Sequence, residues 1–491
     1  MAKRTAVIDI GSNSARMVVF ERTSRFGFYL LNETRSRVRI SEGAYEKGGE
    51  LQEAAMERAE KALGEFLTIA RNYKARKILC VATSAVRDAP NKKEFLNRVE
   101  KRLGLKIKVI DGHREAWLGG TAAVNLLPVT DGITIDIGGG STDMARIVNR
   151  RIVETFTLNL GTVRLKELFF DKKRPIEEAK AYIEGVLSTL PETFRAELAV
   201  GIGGTIRAIS KAIMQHRKHA VDLIHAYHYE LDDERRFIDK VAHASVMKLG
   251  KYGIKKDRLD TIRPGALIFL SVLEKIGAKE VMTSGVGVRE GVFLSDLRRN
   301  QNHLFPANFN PSIRSIRDRF CTEPKLSAAL GATAVALFDA MQTPLGLPEE
   351  ARRHVRIAAE LSQIGIRLNF YNYHRHSAYF VMNNLDYGFT HEEMILIATL
   401  IRFNKRRLPK ESFTRPYKKL LPDTDALGWL SYIVSLTQAI HANRATGRIR
   451  CAFANEVLTV EAPFDTYLAA ERIKALEKPG PIAVQLLSVE R

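Results

Sequence analysis

Cysteine is scarce in this chain, and the three present, Cys80, Cys321 and Cys451, lie far apart with no C-x-x-C spacing. So scattered and odd a set supports neither a disulfide framework nor a zinc site, and a reducing, cytoplasmic setting is the expectation. Long apolar runs are missing as well. The opening MAKRTAVIDIGSNS reaches Asp9 after a short apolar stretch, too brief for a signal-peptide core or a membrane span, and no later stretch has spanning length. No membrane partner is expected. Also absent is any zinc-finger or RNP signature, so nucleic acid is not expected as the main partner.

What is there is globular and basic. Hydrophobic residues make up 45%, charged residues 27%, and the mean hydropathy is −0.15, as in ordinary folded proteins. A length of 491 residues suggests roughly three domains. The net charge of +20, with a pI near 9.8, gives a field that attracts polyanions. Lys and Arg are spread over both halves rather than gathered in a tail, so an inorganic or nucleotide polyanion suits this charge as well as nucleic acid does.

Short apolar runs at Thr5–Ile10, Ala15–Glu21 and Phe28–Asn32 predict a β-meander. Residues 50–74 carry helical periodicity. KILCVATSAV then reads as a buried strand, KKEFLNRVEKRLG as a helix, KIKVIDG as a strand and REAWLGGTAAVNLL as a helix, which is the alternation of an α/β sheet. From Gly132 the order begins again with GITIDIGGGSTDMARIV, RIVETFTLN, the helical PIEEAKAYIEGVLSTL and the strand ELAVGIGG. The repeat of Asp-Ile-Gly is a weak internal duplication, and two sheets facing one another are expected. NQNHLFPANFNPS (300–312) marks a boundary, and the remainder is helix-patterned until GRIRCAFANEVLTVEA.

DIGSNSARM (9–17) and DIGGGSTDM (136–144) each place an aspartate at a strand end, then a glycine turn and hydroxyl side chains. Such a turn offers adjacent backbone N–H groups to phosphate oxygens, while the aspartate suits a hydrated Mg²⁺. An ordinary glycine hairpin and a turn-capping Asp9 are the plainer readings. Two such turns in duplicated halves favour a phosphate clamp. GIGGTIRAIS (201–210) adds a third glycine turn leading into a helix, whose N-terminal amides attract anions.

The stretches DIGSNSARMVVF, ATSAVRDAPN (82–91), DGHREAWLGG (111–120), IDIGGGSTDMARI, LNLGTVRL (158–165), GIGGTIRAIS and SGVGVREGV (284–292) occur in the order found in one family. Residues 1–300 thus resemble the exopolyphosphatase and guanosine pentaphosphate phosphatase family of the actin-like superfamily. The resemblance implies two actin-like (ribonuclease H-like) domains, 1–124 and 125–300, around a central cleft. In that cleft water removes terminal phosphate with Mg²⁺ or another divalent cation. It implies Glu115 as the base that activates water, with Asp136 as its catalytic companion. Metal ligation falls to Asp9, Asp136 and Asp143, the last standing where the family carries a glutamate. Phosphate binding falls to Ser12, Asn13, Ser14, Arg16, Arg87, Gly139, Gly140, Ser141, Arg164, Gly204 and Thr205. Arg114 replaces an acidic residue beside Glu115 and adds a cation. Relatives of this architecture also imply a homodimer.

From 311 to 491 the chain resembles the family's mostly helical HD-like domain, with a degenerate metal motif. Ser362 and Gln363 occupy the place of the charged His–Asp pair, and Asn404 stands where a histidine is common. No second hydrolase centre is expected, His374 and His376 falling to packing or polyanion contact. The cluster KRRLPK (405–410), with Arg415, Lys418 and Lys419, reads either as a positive track or as an ordinary basic face.

The function expected is Mg²⁺-dependent release of terminal phosphate from inorganic polyphosphate, with conversion of guanosine pentaphosphate to tetraphosphate as a second reaction. The alternatives are an actin-like kinase or ATPase, and a non-catalytic protein binding polyanions or alarmones.

Overall fold

The computed structural model describes residues 3–44 and 48–488. Two compact units emerge, Met1–Pro311 and Ser312–Arg491.

The first unit holds two sheets built on one plan. β1 (Arg4–Ile10), β2 (Ala15–Arg22) and β3 (Phe28–Ser36) form the expected meander, and β1 also pairs in parallel with β4 (Lys77–Ala82). With the two-residue β5 (Lys108–Val109) the order is β3-β2-β1-β4-β5. The second sheet contains β6 (Gly132–Ile137), β7 (Thr142–Val148), β8 (Arg151–Leu158), β9 (Leu198–Ile202), β10 (Tyr227–Glu230) and β11 (Glu280–Thr283). Its order is β10-β11-β9-β6-β7-β8, with β6 antiparallel to β7 and parallel to β9. Three antiparallel strands continuing into parallel ones recur in each half, so the duplication seen in the sequence is structural.

These strands read as apolar because helices cover them. Ala6, Val7 and Ile8 of β1 and Ile133 and Ile135 of β6 are fully buried, as central strands with both faces covered require. Two large apolar cores result, one around Ile8, Leu63 and Phe66, the other around Ile135, Ile206 and Phe269. KIKVIDG yields only the short β5, and KILCVATSAV stays extended through Ala82 before turning into the helical turn Ser84–Arg87. That turn lifts Arg87 off the sheet.

The second unit packs helices Pro324–Leu345, Ala351–Leu361, Tyr373–Met382, His391–Arg402 and Thr424–Ile440. Its three-stranded sheet adds β14 (Ala483–Ser488) to a hairpin of β12 (Arg450–Ala454) and β13 (Val457–Ala462), formed by GRIRCAFANEVLTVEA. Among the described residues no helix is long and apolar enough to cross a membrane.

Candidate active site

The two aspartate turns share their geometry. Asp9 pairs across its hairpin with Arg16 and Asp136 with Asp143, seven residues on in each case. The amide of Gly11 donates to the Ser14 carbonyl at 3.2 Å, and that of Gly138 to the Ser141 carbonyl at 2.9 Å. They also meet: a Cβ at Gly139 would stand 2.8 Å from the Ser12 Cβ, so only glycine lets the turns approach this closely.

Around this contact lies a cleft lined by Asp9, Ser12, Asn13, Ser14 and Arg16 from the first turn, and by Asp136, Gly139 and Ser141 from the second. Glu115 enters from the first turn of the helix Gly112–Leu126, which is capped by Asp111 accepting from the Arg114 amide at 2.7 Å. Gly204 and Thr205 reach it from the start of the helix Gly203–His216. Gly203 has φ +84°, and a side chain there would run into Asp136 Oδ1. Eleven of the expected site residues therefore line a single opening.

Four others stand behind it. Arg87 Nη1 lies 3.4 Å from Glu115 Oε2. Asp143 is 2% exposed, and its Oδ2 accepts from the Ser141 hydroxyl at 3.0 Å. Gly140 and Arg164 belong to a brace. The amides of Thr162, Val163 and Arg164 donate to the Gly138 and Gly139 carbonyls at 2.9–3.1 Å, and Arg164 Nε donates to the Gly140 carbonyl at 3.1 Å. This turns the carbonyls of the glycine turn outward to LGTVRL. Arg164, expected at the phosphates, has its Nε on the Gly140 carbonyl behind the turn. Arg114 also points elsewhere. It bonds Ser295 Oγ at 3.0 Å and lies 4.1 Å over the Trp117 ring, so it adds no cation to the opening.

Sequence reasoning passed over three arginines that line the cleft, Arg207, Arg258 and Arg289. Arg207 donates to the carbonyls of Ser284 and Val286 at 2.7 and 3.0 Å. Arg289, 6% exposed, bonds Glu33 Oε1 at 2.6 Å. Arg207 and Arg289 sit inside GIGGTIRAIS and SGVGVREGV, so the motifs contained the signal. Arg258 lies in no such motif.

Burial and crowding set the electrostatics. Burial pushes the Asp9 carboxyl up to about 6 against the pull of Arg289 and Arg16. Burial, then the neighbouring Asp136, pushes Asp143 up to about 7. Glu115 is held well above the usual carboxylate range by burial and then by Asp143, Asp136 and Asp9, with Arg87 opposing. Asp136 is raised by burial. On the cationic side, burial and the neighbouring Arg289 push Arg207 down to about 10, while burial and Arg35 do the same to Arg258. Four acids on one side and a cluster of arginines on the other suit a multivalent anion bound with a cation.

The match to family models is decisive: the Ppx/GppA phosphatase family model covers residues 18–300, and the Ppx/GppA phosphatase domain III model covers 310–462. The chain belongs to the Ppx/GppA phosphatase family. Its fold is actin-like, followed by a mostly helical domain. A guanosine-5'-triphosphate,3'-diphosphate pyrophosphatase of Pseudoalteromonas translucida is 26% identical over 426 residues, 83% of this chain and 82% of that protein. Among solved structures, the Aquifex aeolicus Ppx/GppA member is 27% identical with a TM-score of 0.53, covering 61% of this chain and 99% of its own. An exopolyphosphatase from Cytophaga hutchinsonii is 25% identical with a TM-score of 0.56, covering 60% and 98%. As a family member the chain is a phosphatase, an enzyme that hydrolyses phosphate bonds.

Proposed function

We propose that this phosphatase removes the terminal phosphate of inorganic polyphosphate and of guanosine pentaphosphate, with Glu115 orienting and deprotonating the attacking water. The contact of Ser12 with Gly139 supports this reading, because it brings two glycine turns together at one cleft that Glu115 also lines. Terminal phosphoryl transfer to water concentrates charge on the phosphate oxygens, and catalysis rests on positioning and electrostatics. Turn amides, the hydroxyls of Ser12, Ser14, Ser141 and Thr205, and the guanidinium groups of Arg16, Arg207 and Arg289 supply the donors. Glu115, its proton affinity raised by burial and by three aspartates, is a stronger proton acceptor than an ordinary carboxylate.

The site also fits a divalent cation. Asp9 Oδ1 and Asp143 Oδ1 are buried without a hydrogen-bond partner, and burial raises both carboxyls despite the arginines nearby. Among the described residues no three His, Cys, Asp or Glu side chains make a ready cage. Mg²⁺ does not need one, since it is usually held by one or two carboxylates, waters and substrate phosphates. Asp9 and Asp136 at the cleft wall would hold it, with Asp143 behind. When bound, Mg²⁺ supplies positive charge to phosphate oxygens.

The test is phosphate release from polyphosphate and from guanosine pentaphosphate, with Mg²⁺ and with chelator. Release from either that depends on Mg²⁺ and is lost in Glu115→Gln supports the reading; undiminished release in that variant refutes it.

A further inference from the structure

The helical unit contains a second opening, a cavity of ≈ 1070 Å³. Eight Lys and Arg side chains line it, Arg375, Arg402, Lys405, Arg406 and Arg472 among them, and the one carboxylate among its described lining residues is Glu471. Burial and then Arg375 lower the proton affinity of both Arg402 and Lys405, the mark of cations lacking a counter-charge. At its edge, where the family resemblance calls for a charged metal pair, stands a neutral network. Gln438 donates to Ser362 Oγ at 3.0 Å, and Gln363 to Gln438 Oε1 at 3.2 Å. His374, also lining the cavity, is pushed down to about 4 by burial and by Lys405, so it is neutral at pH 7 and its buried Nδ1 has no partner.

One residue indicates what enters. Asn404 lines this cavity and is 1% exposed, yet neither its Nδ2 nor its Oδ1 has a hydrogen-bond partner. A buried amide left unmatched is costly, so such a group is normally completed by something outside the chain. An inorganic phosphate chain offers only acceptors and would leave Oδ1 unmatched. A nucleobase edge presents a donor beside an acceptor, the pattern that an Asn amide reads in a paired fashion. Phe370, 65% exposed, and Tyr373 line the same opening and offer ring faces to a base. The volume is slightly above the about 300–1,000 Å³ typical of ligand pockets.

We propose that this cavity binds a nucleoside oligophosphate, its base edge on the Asn404 amide and its phosphates on Arg375, Arg402 and Lys405. The site lies in the second compact unit and contains none of the cleft residues.

The test is hydrogen–deuterium exchange of the full chain with GTP, ATP or inorganic tripolyphosphate, without divalent cation, read at the peptides around 371–376 and 402–413. GTP or ATP should protect both peptides in a saturable way, and more tightly than tripolyphosphate. Asn404→Ala should weaken nucleotide protection about tenfold and leave that by tripolyphosphate unchanged. Arg375→Ala, at an exposed position, should weaken all three, so the test survives a misfolded Asn404 variant. Absence of protection at these peptides overturns the proposal. Tripolyphosphate protecting as well as the nucleotides, with Asn404→Ala silent, overturns it too and leaves a simple polyanion patch. The readout is independent of phosphate release at the cleft, so it stands or falls separately from the hydrolase reading.

Discussion

The guanidinium of Arg87 lies 3.4 Å from Glu115 Oε2, the one ion pair this carboxylate makes among the described residues, with both side chains largely shielded from solvent. Glu115 belongs to a group of four acids whose repulsion raises its proton affinity, and Arg87 is the cation that opposes this rise. The pair therefore tunes how readily Glu115 ionises while fixing where its carboxylate points.

Glu115→Gln keeps the shape and removes the proposed base. Phosphate release should fall by about 10²–10⁴-fold, the usual contribution of a positioned base. The melting temperature should hold or rise, because a neutral amide replaces an acid whose charged form is disfavoured by burial. Steady-state kinetics and a thermal melt on one preparation check both.

Arg87→Met removes the cation that lowers the Glu115 proton affinity. The acid limb of the kcat/KM profile should move to higher pH, since the base then ionises later. A fall in activity at all pH values with no displacement of the limb would assign Arg87 to structure alone.

Stability should depend on pH in a direction that a divalent cation reverses. Asp9 and Asp143 have ordinary values of 3.8 and stand at about 6 and about 7 in the fold. A raised acid stabilises the fold while protonated, so this contribution is complete below 3.8 and is lost as pH climbs through 6 and 7. Without metal the melting temperature should decline over that window. Mg²⁺ binds the ionised forms, so the stabilisation it gives should be larger at pH 8 than at pH 5. Melts with Mg²⁺ and with chelator at both pH values check this.

Glycine substitutions should separate into two classes. A Cβ at Gly161 would run into the Gly139 carbonyl and the Gly140 backbone, neither of which gives way easily. Gly161→Ala should cost about 1–3 kcal/mol and loosen the second turn, raising KM for polyphosphate. Gly185, inside the helix Ile176–Leu187, has nothing within 4 Å of that position. Gly185→Ala should be neutral or stabilise by up to about 1 kcal/mol with unchanged kinetics. Denaturant unfolding read beside the kinetics tells the two apart.

Much of this arrangement was legible in the residues. Asp9 and Asp136 end apolar strands before glycine turns, a local pattern, and both hairpins form where the pattern put them. Glu115 near a helix start was legible once its motif was set beside the others. Side-chain direction was not. Arg164 and Arg114 sit in or beside site motifs, yet one braces the Gly140 carbonyl and the other turns to Ser295 and Trp117. Arg258 was invisible because its approach to Gly204 depends on a fold-back of the chain that no local pattern encodes.

The sequence by itself determined the strands, the glycine turns and the excess of positive charge, because each follows from neighbours along the chain: apolar alternation, tolerance of unusual backbone angles, and composition. Only the tertiary structure decided that Ser12 meets Gly139, that burial and three aspartates raise the proton affinity of Glu115, and that Asn404 is buried with its amide unmatched. Those facts arise from distances between segments far apart in sequence, and Coulomb repulsion, desolvation and steric exclusion depend on distance in space.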